Sequence, residues 1–238
     1  MKVKTFLVLG LLIATLLYSP INLQAQDEES GSPFSLGADL VSSFVWRGSK
    51  IGTGPNIQPY VEFSKGGFTL GTWGTTSFHD LGDEAEVDLY ASYAIDCGLS
   101  FGITDYYFQG TPYFRYSTDS ASHVFEGNLE YKLEKLTFSA NYVFNDASKG
   151  GPGNKPGGGD MYFELGYDFK YFGVFAGAGN GWTTTYKDNG DDVFALCNLG
   201  IKTSKEIKIT DKYSIPVSGM LSVNPDREEL NLVIGISF

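Results

Sequence analysis

The stretch Glu229-Leu230-Asn231-Leu232-Val233-Ile234-Gly235-Ile236-Ser237-Phe238 decides the fold. Leu230, Leu232, Ile234, Ile236 and Phe238 fall on one face. Glu229, Asn231, Gly235 and Ser237 fall on the other, with Val233 the only exception. A period of two belongs to a strand with one apolar and one polar face. Upstream, Val87, Leu89, Ala91, Tyr93 and Ile95 oppose Glu86, Asp88, Ser92 and Asp96. Phe125, Leu129, Tyr131 and Leu133 oppose Glu126, Asn128, Glu130 and Lys132. Met161, Phe163, Leu165, Tyr167 and Phe169 oppose Asp160, Glu164 and Asp168.

On this criterion the chain holds about twelve strands. They lie near 34–46, 55–64, 67–78, 85–96, 98–107, 122–133, 135–145, 160–170, 171–182, 192–203, 212–223 and 229–238. Most run to about ten residues, long for a soluble sheet and right for a tilted membrane strand. Tight connections at Lys65-Gly66, Cys97, Glu134 and Lys170/Tyr171 alternate with longer ones at 48–54, 79–84, 109–121, 146–159 and 183–191. Outer-membrane barrels have short periplasmic turns and longer external loops. Residues 204–211 break the rule as a long periplasmic turn, and the external turn 224–228 is short.

The N-terminus reads as a signal peptide. Lys2 and Lys4 precede an apolar run from Phe6 to Tyr18, and Leu23-Gln24-Ala25 supplies a small residue for cleavage after Ala25. The residue directly after that point is Gln26 rather than Cys, so a lipid anchor is not expected. The domain plan is therefore 1–25 signal peptide, 26–33 short lead and 34–238 barrel. Cleavage takes two lysines and no acid from a chain of net charge −11, leaving −13. That balance argues against nucleic acid as a partner. Two cysteines, Cys97 and Cys197, make no disulfide framework, and Cys197 reads as a small buried hydrophobe.

Alternation alone fits a secreted ligand-binding barrel as well as a membrane barrel. No segment after residue 25 is a continuous apolar run of spanning length, which excludes a helical membrane protein. The strand count and the segregation of short and long connections favour an all-β, single antiparallel transmembrane β-barrel in a Gram-negative outer membrane. Trp46, Phe63, Phe68, Phe78, Tyr107, Phe144, Tyr171, Phe172 and Trp182 fit two interfacial girdles. The apolar faces then meet outer-membrane lipid. The terminal Phe238 resembles the signal read by the barrel-assembly machinery.

With the apolar faces outward, Asp39, Glu62, Glu86, Asp88, Glu126, Glu130, Glu164 and Asp168 point into the lumen, and Lys132 and Lys202 are its main bases. Arg47 sits at the rim of the first strand, either paired with a lumen carboxylate or solvated. The pairs Glu86/Asp88 and Glu126/Glu130 set like charges on one face. A solvated wall tolerates this, whereas a dry interior needs bases nearby.

The N-terminal half carries a resemblance. Ser42-Ser43-Phe44-Val45-Trp46-Arg47-Gly48 is followed by Ile57-Gln58-Pro59, Gly67-Phe68-Thr69-Leu70-Gly71-Thr72-Trp73-Gly74 and Glu86-Val87-Asp88-Leu89-Tyr90. This pattern resembles the TorF-family porins of Gram-negative bacteria, specifically over about residues 38–108 and more loosely to the end. The resemblance implies an outer-membrane barrel and passive transport, and it transfers no catalytic residues and no cofactor.

Other motifs have plainer readings. His79-Asp80-Leu81 and His123-Val124-Phe125 lack the His-x-Ser spacing of outer-membrane phospholipases, so no enzyme is expected. Asp188-Asn189-Gly190-Asp191-Asp192 lacks EF-hand spacing and reads as a solvated hairpin turn rather than a metal site. The Gly- and Pro-rich run 149–159 reads as a mobile loop outside the shared pattern. These features imply a channel for small solutes with an acidic, weakly cation-preferring lumen. The alternative is a plugged structural or adhesive barrel whose external loops bind a partner.

Overall fold

A computed structural model describes residues 32–52, 54–79, 85–108, 112–116, 122–146, 158–185 and 193–238. The signal peptide, most of the lead, the Asp188–Asp192 turn and all but the end of the 149–159 run lie outside the described residues.

Twelve antiparallel strands close into a barrel. They are β1 (Phe34–Val41), β4 (Asn56–Lys65), β5 (Phe68–Ser77), β6 (Glu86–Ala94), β7 (Leu99–Phe108), β8 (His123–Leu133), β9 (Leu136–Val143), β10 (Met161–Asp168), β11 (Gly173–Gly179), β12 (Ala195–Thr210), β13 (Tyr213–Asn224) and β14 (Glu229–Ser237). Each pairs with its neighbours in chain order, and β1 closes the ring by pairing with β14 as well as with β4. The closing ladder is short, with rungs at Asp39↔Ser237, Leu40↔Ile236 and Val41↔Gly235. Reciprocal backbone bonds between Ala38 and Phe238 extend it. Two further short strands, β2 (Val45–Trp46) and β3 (Ser49–Lys50), pair only with each other.

Alternation sorts the side chains by wall face. Leu36, Val61, Leu70, Leu89, Ile103, Leu129, Phe163, Leu165, Leu221, Leu232 and Ile234 form an exposed apolar belt. Their strand neighbours Gln58, Thr69, Asp88, Thr104, Glu126, Ser139, Asn141, Ser222 and Asn231 are buried. This protein thus turns its apolar faces outward and its polar faces inward, the reverse of a water-soluble domain. Among the described residues no helix is long and apolar enough to cross a membrane.

The structure corrects three expectations. The first strand does not run from 34 to 46. It ends at Val41, and the chain turns inward. Trp46 and Trp182 are not girdle residues, because both are buried in the interior, at 5% and 3% exposure. The other seven aromatics of the expected girdles are half-buried or exposed. Residues 204–211 are not a long turn. β12 continues through them as strand, and only Asp211 and Lys212 separate it from β13. β11 pairs with β12 only as far as Lys202, so the β12–β13 ribbon projects past the rim. Alternation of Lys205, Ile207 and Ile209 with Glu206 and Lys208 carries the strand onward where turn residues were expected.

Set in lipid, the belt tolerates no charge. Leu165→Lys, in the middle of β10, is expected to destabilise the barrel by about 2–4 kcal/mol. Urea unfolding from lipid vesicles checks this as a lowered midpoint.

Candidate functional site: the hairpin inside the barrel

After Val41 the chain makes one more contact with the wall. Ser42 N–H donates to Ile234 O, and the Ser42 hydroxyl accepts from Ile234 N–H. Residues 43–52 then leave the sheet. β2 and β3 form a hairpin with rungs Val45↔Lys50 and Trp46↔Ser49. Its two-residue turn is Arg47-Gly48, with φ of 49° and 84°. Two central residues with positive φ are what a tight hairpin of this twist needs. Glycine adopts that conformation freely, whereas an L-residue such as Arg47 loses about 1–2 kcal/mol there.

The hairpin touches wall strands around the ring. Phe44 packs on Trp73 of β5, with ring centroids 5.7 Å apart. Trp46 packs on Tyr106 of β7 at 6.1 Å and on Trp182 at 5.7 Å. Trp182 lies in a 3-10 turn, Gly181–Thr183, at the long-loop end of β11. Gly48 O accepts from the Asn231 side chain of β14 at 3.0 Å, and Ser49 Oγ accepts from Asn224 of β13 at 3.4 Å. A Cβ on Gly48 would lie 2.1 Å from the carbonyl oxygen of Cys197 in β12. A glycine at 48 is therefore required twice, by φ and by the approaching wall.

Arg47 anchors the turn. Its Nη1 and Nη2 donate to the two oxygens of Glu126 on β8, at 2.7 and 2.8 Å. The guanidinium is sandwiched between the rings of Trp46 and Tyr162, 4.4 and 4.6 Å from their centroids. Arg47 is 8% exposed and Glu126 1%. A bidentate, stacked arginine is a strong and geometrically specific pairing. Tyr106 Oη and Asn128 Nδ2 donate to the same carboxylate at 2.9 and 2.7 Å. The cavity lined by Phe44, Trp46, Ile51, Glu86, Tyr106, Phe108 and Trp182 measures about 10 Å³. That holds about one water molecule.

The expected lumen residues fall into two groups. Arg47, Glu86, Asp88 and Glu126 are buried beside the hairpin, toward the long-loop end. Arg47 is an interior group rather than a rim charge. Its turn folds it back between walls that cover both faces of β2. Asp39, Glu62, Glu130, Glu164 and Lys202 are half-buried, and Lys132 and Asp168 exposed, toward the tight-turn end. There Glu62 accepts from Ser64 Oγ and Tyr90 Oη, each at 3.0 Å. Glu164 accepts from Tyr162 Oη and, at 3.1 Å, from Asn198 Nδ2. Glu130 and Glu164 flank Ser139 on one row of the wall. The protein interior is thus packed at one end and accessible at the other.

The base that a dry interior needs reaches Glu126 but not Glu86 and Asp88. Asp88 is fully buried, and its neighbour on the same face is the Glu86 carboxyl rather than a base. Tyr106, Tyr162 and Trp182 went unnoticed as site residues in the sequence. Only inward parity on their strands marks the two tyrosines, and Trp182 looks like any strand-end aromatic. Cys197 is buried, as its apolar neighbours suggest, and is the extra residue of a β-bulge opposite Gly177 and Ala178. Cys97 is exposed in a turn. His79 is exposed, and the Nε2 of His123 faces the backbone carbonyl of Tyr113 rather than a nucleophile.

The model of a bacterial protein family of unknown function, Gcw_chp, matches residues 25–214. The chain belongs to the Gcw_chp family. The match takes in the hairpin and ten complete barrel strands of this Gcw_chp protein. No curated protein matches it. Solved structures of mutants of the Rhodopseudomonas blastica porin are similar at a coarse level. One aligns at a TM-score of 0.40 and 13% identity, over 88% of this chain and 74% of the porin. Another aligns at 0.37 and 14% identity, over 77% of this chain. In that alignment the Gcw_chp chain spans 55%, about half, of the porin's length.

Arg47→Ala leaves Glu126 as a buried charge without its partner, at an expected cost to hairpin docking of about 3–5 kcal/mol. Trp46 and Trp182 report it: their emission shifts to the red and acrylamide quenches it more strongly than in the wild type. The double variant Arg47→Ala/Glu126→Gln recovers part of the loss.

Proposed function

We propose that this protein is an outer-membrane channel for the passive diffusion of small solutes, closed at rest by its own hairpin. The observation that carries this reading is the poor polar satisfaction of the docked hairpin. Trp46 Nε1 and Arg47 Nε on the hairpin are buried without hydrogen-bond partners among the described residues, as are Asn56 Oδ1, Thr184 Oγ1 and Ser222 Oγ on the surrounding segments. Each such group left unpaired costs about 1–3 kcal/mol. Undocking lets water reach them. The Arg47–Glu126 pair, the strain at Arg47 and these orphaned groups make the docked state stable but displaceable. A permanent plug gains nothing from such atoms.

In this reading the belt lies in lipid, the tight turns face the periplasm and the long loops face outside. The half-buried acids Asp39, Glu62, Glu130 and Glu164, with Asp168, outnumber Lys132 and Lys202, and they give the opened pore a weak cation preference. The resemblance to TorF-family porins over residues 38–108 supports the same assignment. A second reading is a plugged structural or adhesive barrel whose outer loops bind a partner. The packing of Phe44, Trp46, Tyr106 and Trp182 into one aromatic cluster favours it.

Conductance in a planar bilayer separates the two, with folding of each sample confirmed by heat-modifiable gel mobility. The channel reading expects rare, discrete openings in the wild type. It expects Arg47→Ala to raise the ratio of open to closed time at least about 100-fold, the equivalent of roughly 3 kcal/mol. Silence from folded wild type and folded Arg47→Ala alike would establish the plugged scaffold. In the opened variant, Glu164→Gln is expected to lower the cation preference read from the reversal potential. An unchanged potential removes the lumen acids from selectivity.

A further inference from the structure

On the outer wall, at the long-loop end, two neighbouring side chains break the pattern of the belt, His123 of β8 and Asp105 of β7. His123 opens β8 on the outward face yet is 0% exposed. Residues 112–116, from the connection between β7 and β8, fold over it. The Tyr116 ring stacks on the imidazole at 4.4 Å and 16°, and the Tyr113 ring meets it edge-on at 4.9 Å. Tyr107 of β7 stacks on its wall side at 5.4 Å.

Acceptors face both ring nitrogens. Nδ1 lies 2.9 and 3.0 Å from the two oxygens of Asp105 on β7, and Nε2 is on the backbone carbonyl of Tyr113. Neutral imidazole carries one N–H and cannot donate at both nitrogens. The arrangement therefore holds one proton more than neutral His123 with ionised Asp105. That proton sits on the ring, or on the carboxyl with Nδ1 accepting. We propose that residues 112–116 form a proton-operated flap: the proton held by the His123–Asp105 pair seals it on the barrel wall, and its release to solvent frees it.

The geometry gives the direction. Without the proton, a lone pair on one nitrogen faces an oxygen lone pair, and one charge-assisted bond is lost. If the wall bond to Asp105 survives, the bond lost is the one to Tyr113, which ties the flap down. The stacking of Tyr116 on a cationic ring weakens at the same time. What remains is the Tyr113 ring edge-on to Tyr107 of β7 at 5.0 Å and two local bonds: Ser122 Oγ donates to Pro112 O at 3.0 Å, and Ser122 N–H to Arg115 O at 2.9 Å. Asn145 Nδ2 donates to the backbone oxygen of His123 and holds the histidine to the wall rather than to the flap. Among the described residues, the titratable groups around the ring are Asp105 and Tyr107 from β7, and Tyr113 and Tyr116 from the flap. The flap's Arg115 is exposed. Histidine is the side chain suited to act between about pH 5 and 8.

A nitroxide at position 114 tests the flap, since Phe114 is 88% exposed and lies at its tip. The label goes on Phe114→Cys in a Cys97→Ser background, with buried Cys197 left in place and folding checked by gel mobility. Spectra are taken from about pH 5 to about pH 8.5, below the range in which phenols ionise. The ratio of immobilised to mobile label is expected to fall with rising pH, by up to about tenfold per unit for one proton. His123→Gln abolishes the dependence. Asp105→Asn keeps the flap sealed throughout, because an amide can donate to Nδ1 while Nε2–H still serves Tyr113. A wild-type ratio that does not move with pH overturns the proposal. So does a dependence that persists unchanged in either variant.

Discussion

A sheet whose outer face is apolar over most of its height has nowhere to leave an unpaired backbone group. Every other feature of this fold depends on that constraint. It makes β1 pair on both sides, with eight rungs to β4 and three to β14. It also explains why Ala38 and Phe238 exchange backbone bonds beyond the last rung of the seam. Closure then dictates the interior. Once alternation sends the apolar side chains outward, the inward set is polar, and a barrel of twelve strands encloses more polar side chains than can satisfy one another.

The hairpin is the partial answer to that surplus. It brings the Arg47 cation, one tryptophan and a set of backbone groups to a wall rich in Asn, Thr and Glu. Glu126 gains a complete set of partners, with Arg47, Tyr106 and Asn128 all donating to it. Asp88, on a neighbouring part of the wall, gains no cation and faces the Glu86 carboxyl instead. The interior is thus uneven, well satisfied around one carboxylate and poorly around another. That unevenness separates a segment that can leave from a core that cannot. The two faces of β7 and β8 are joined in this respect. Tyr106 and Glu126 hold the hairpin inside, and Asp105 and His123 hold residues 112–116 outside.

The wall was legible in the sequence because its signal is strictly local. Leu230 through Phe238 state their facing without reference to any other strand, and so do Val87 through Ile95. The hairpin was not legible for the same reason. Phe44, Val45 and Trp46 continue the β pattern of Phe34–Val41, and nothing local says that the walls on both sides will belong to other strands. The pair Arg47-Gly48 was the available clue, since two positive-φ residues between short strands mark a tight turn. Arginine is an unusual occupant, and only Glu126, 79 residues away, compensates it. The opposite error at residues 204–211 has a similar origin. Lysines and a glutamate suggest a turn, whereas pairing with β13 makes the segment a strand. His123 shows the limit most clearly. Apart from Phe125, its surroundings are built by Asp105, Tyr107, Tyr113 and Tyr116, none within six residues of it.

The placement of the hairpin also orders the assembly of the molecule in time. Its turn binds Glu126 at a sequence separation of 79 and Asn231 at 183, and β3 reaches Asn224 at 175. Those partners lie on opposite parts of the ring, so only a sheet already curled most of the way round presents them together. Contacts of such long range form late, after the chain entropy of closing the intervening loops has been met. The hairpin precedes all these partners in the chain and is nonetheless among the last segments to reach its native position. The nascent barrel closes hollow, and water leaves its upper half only when the hairpin enters.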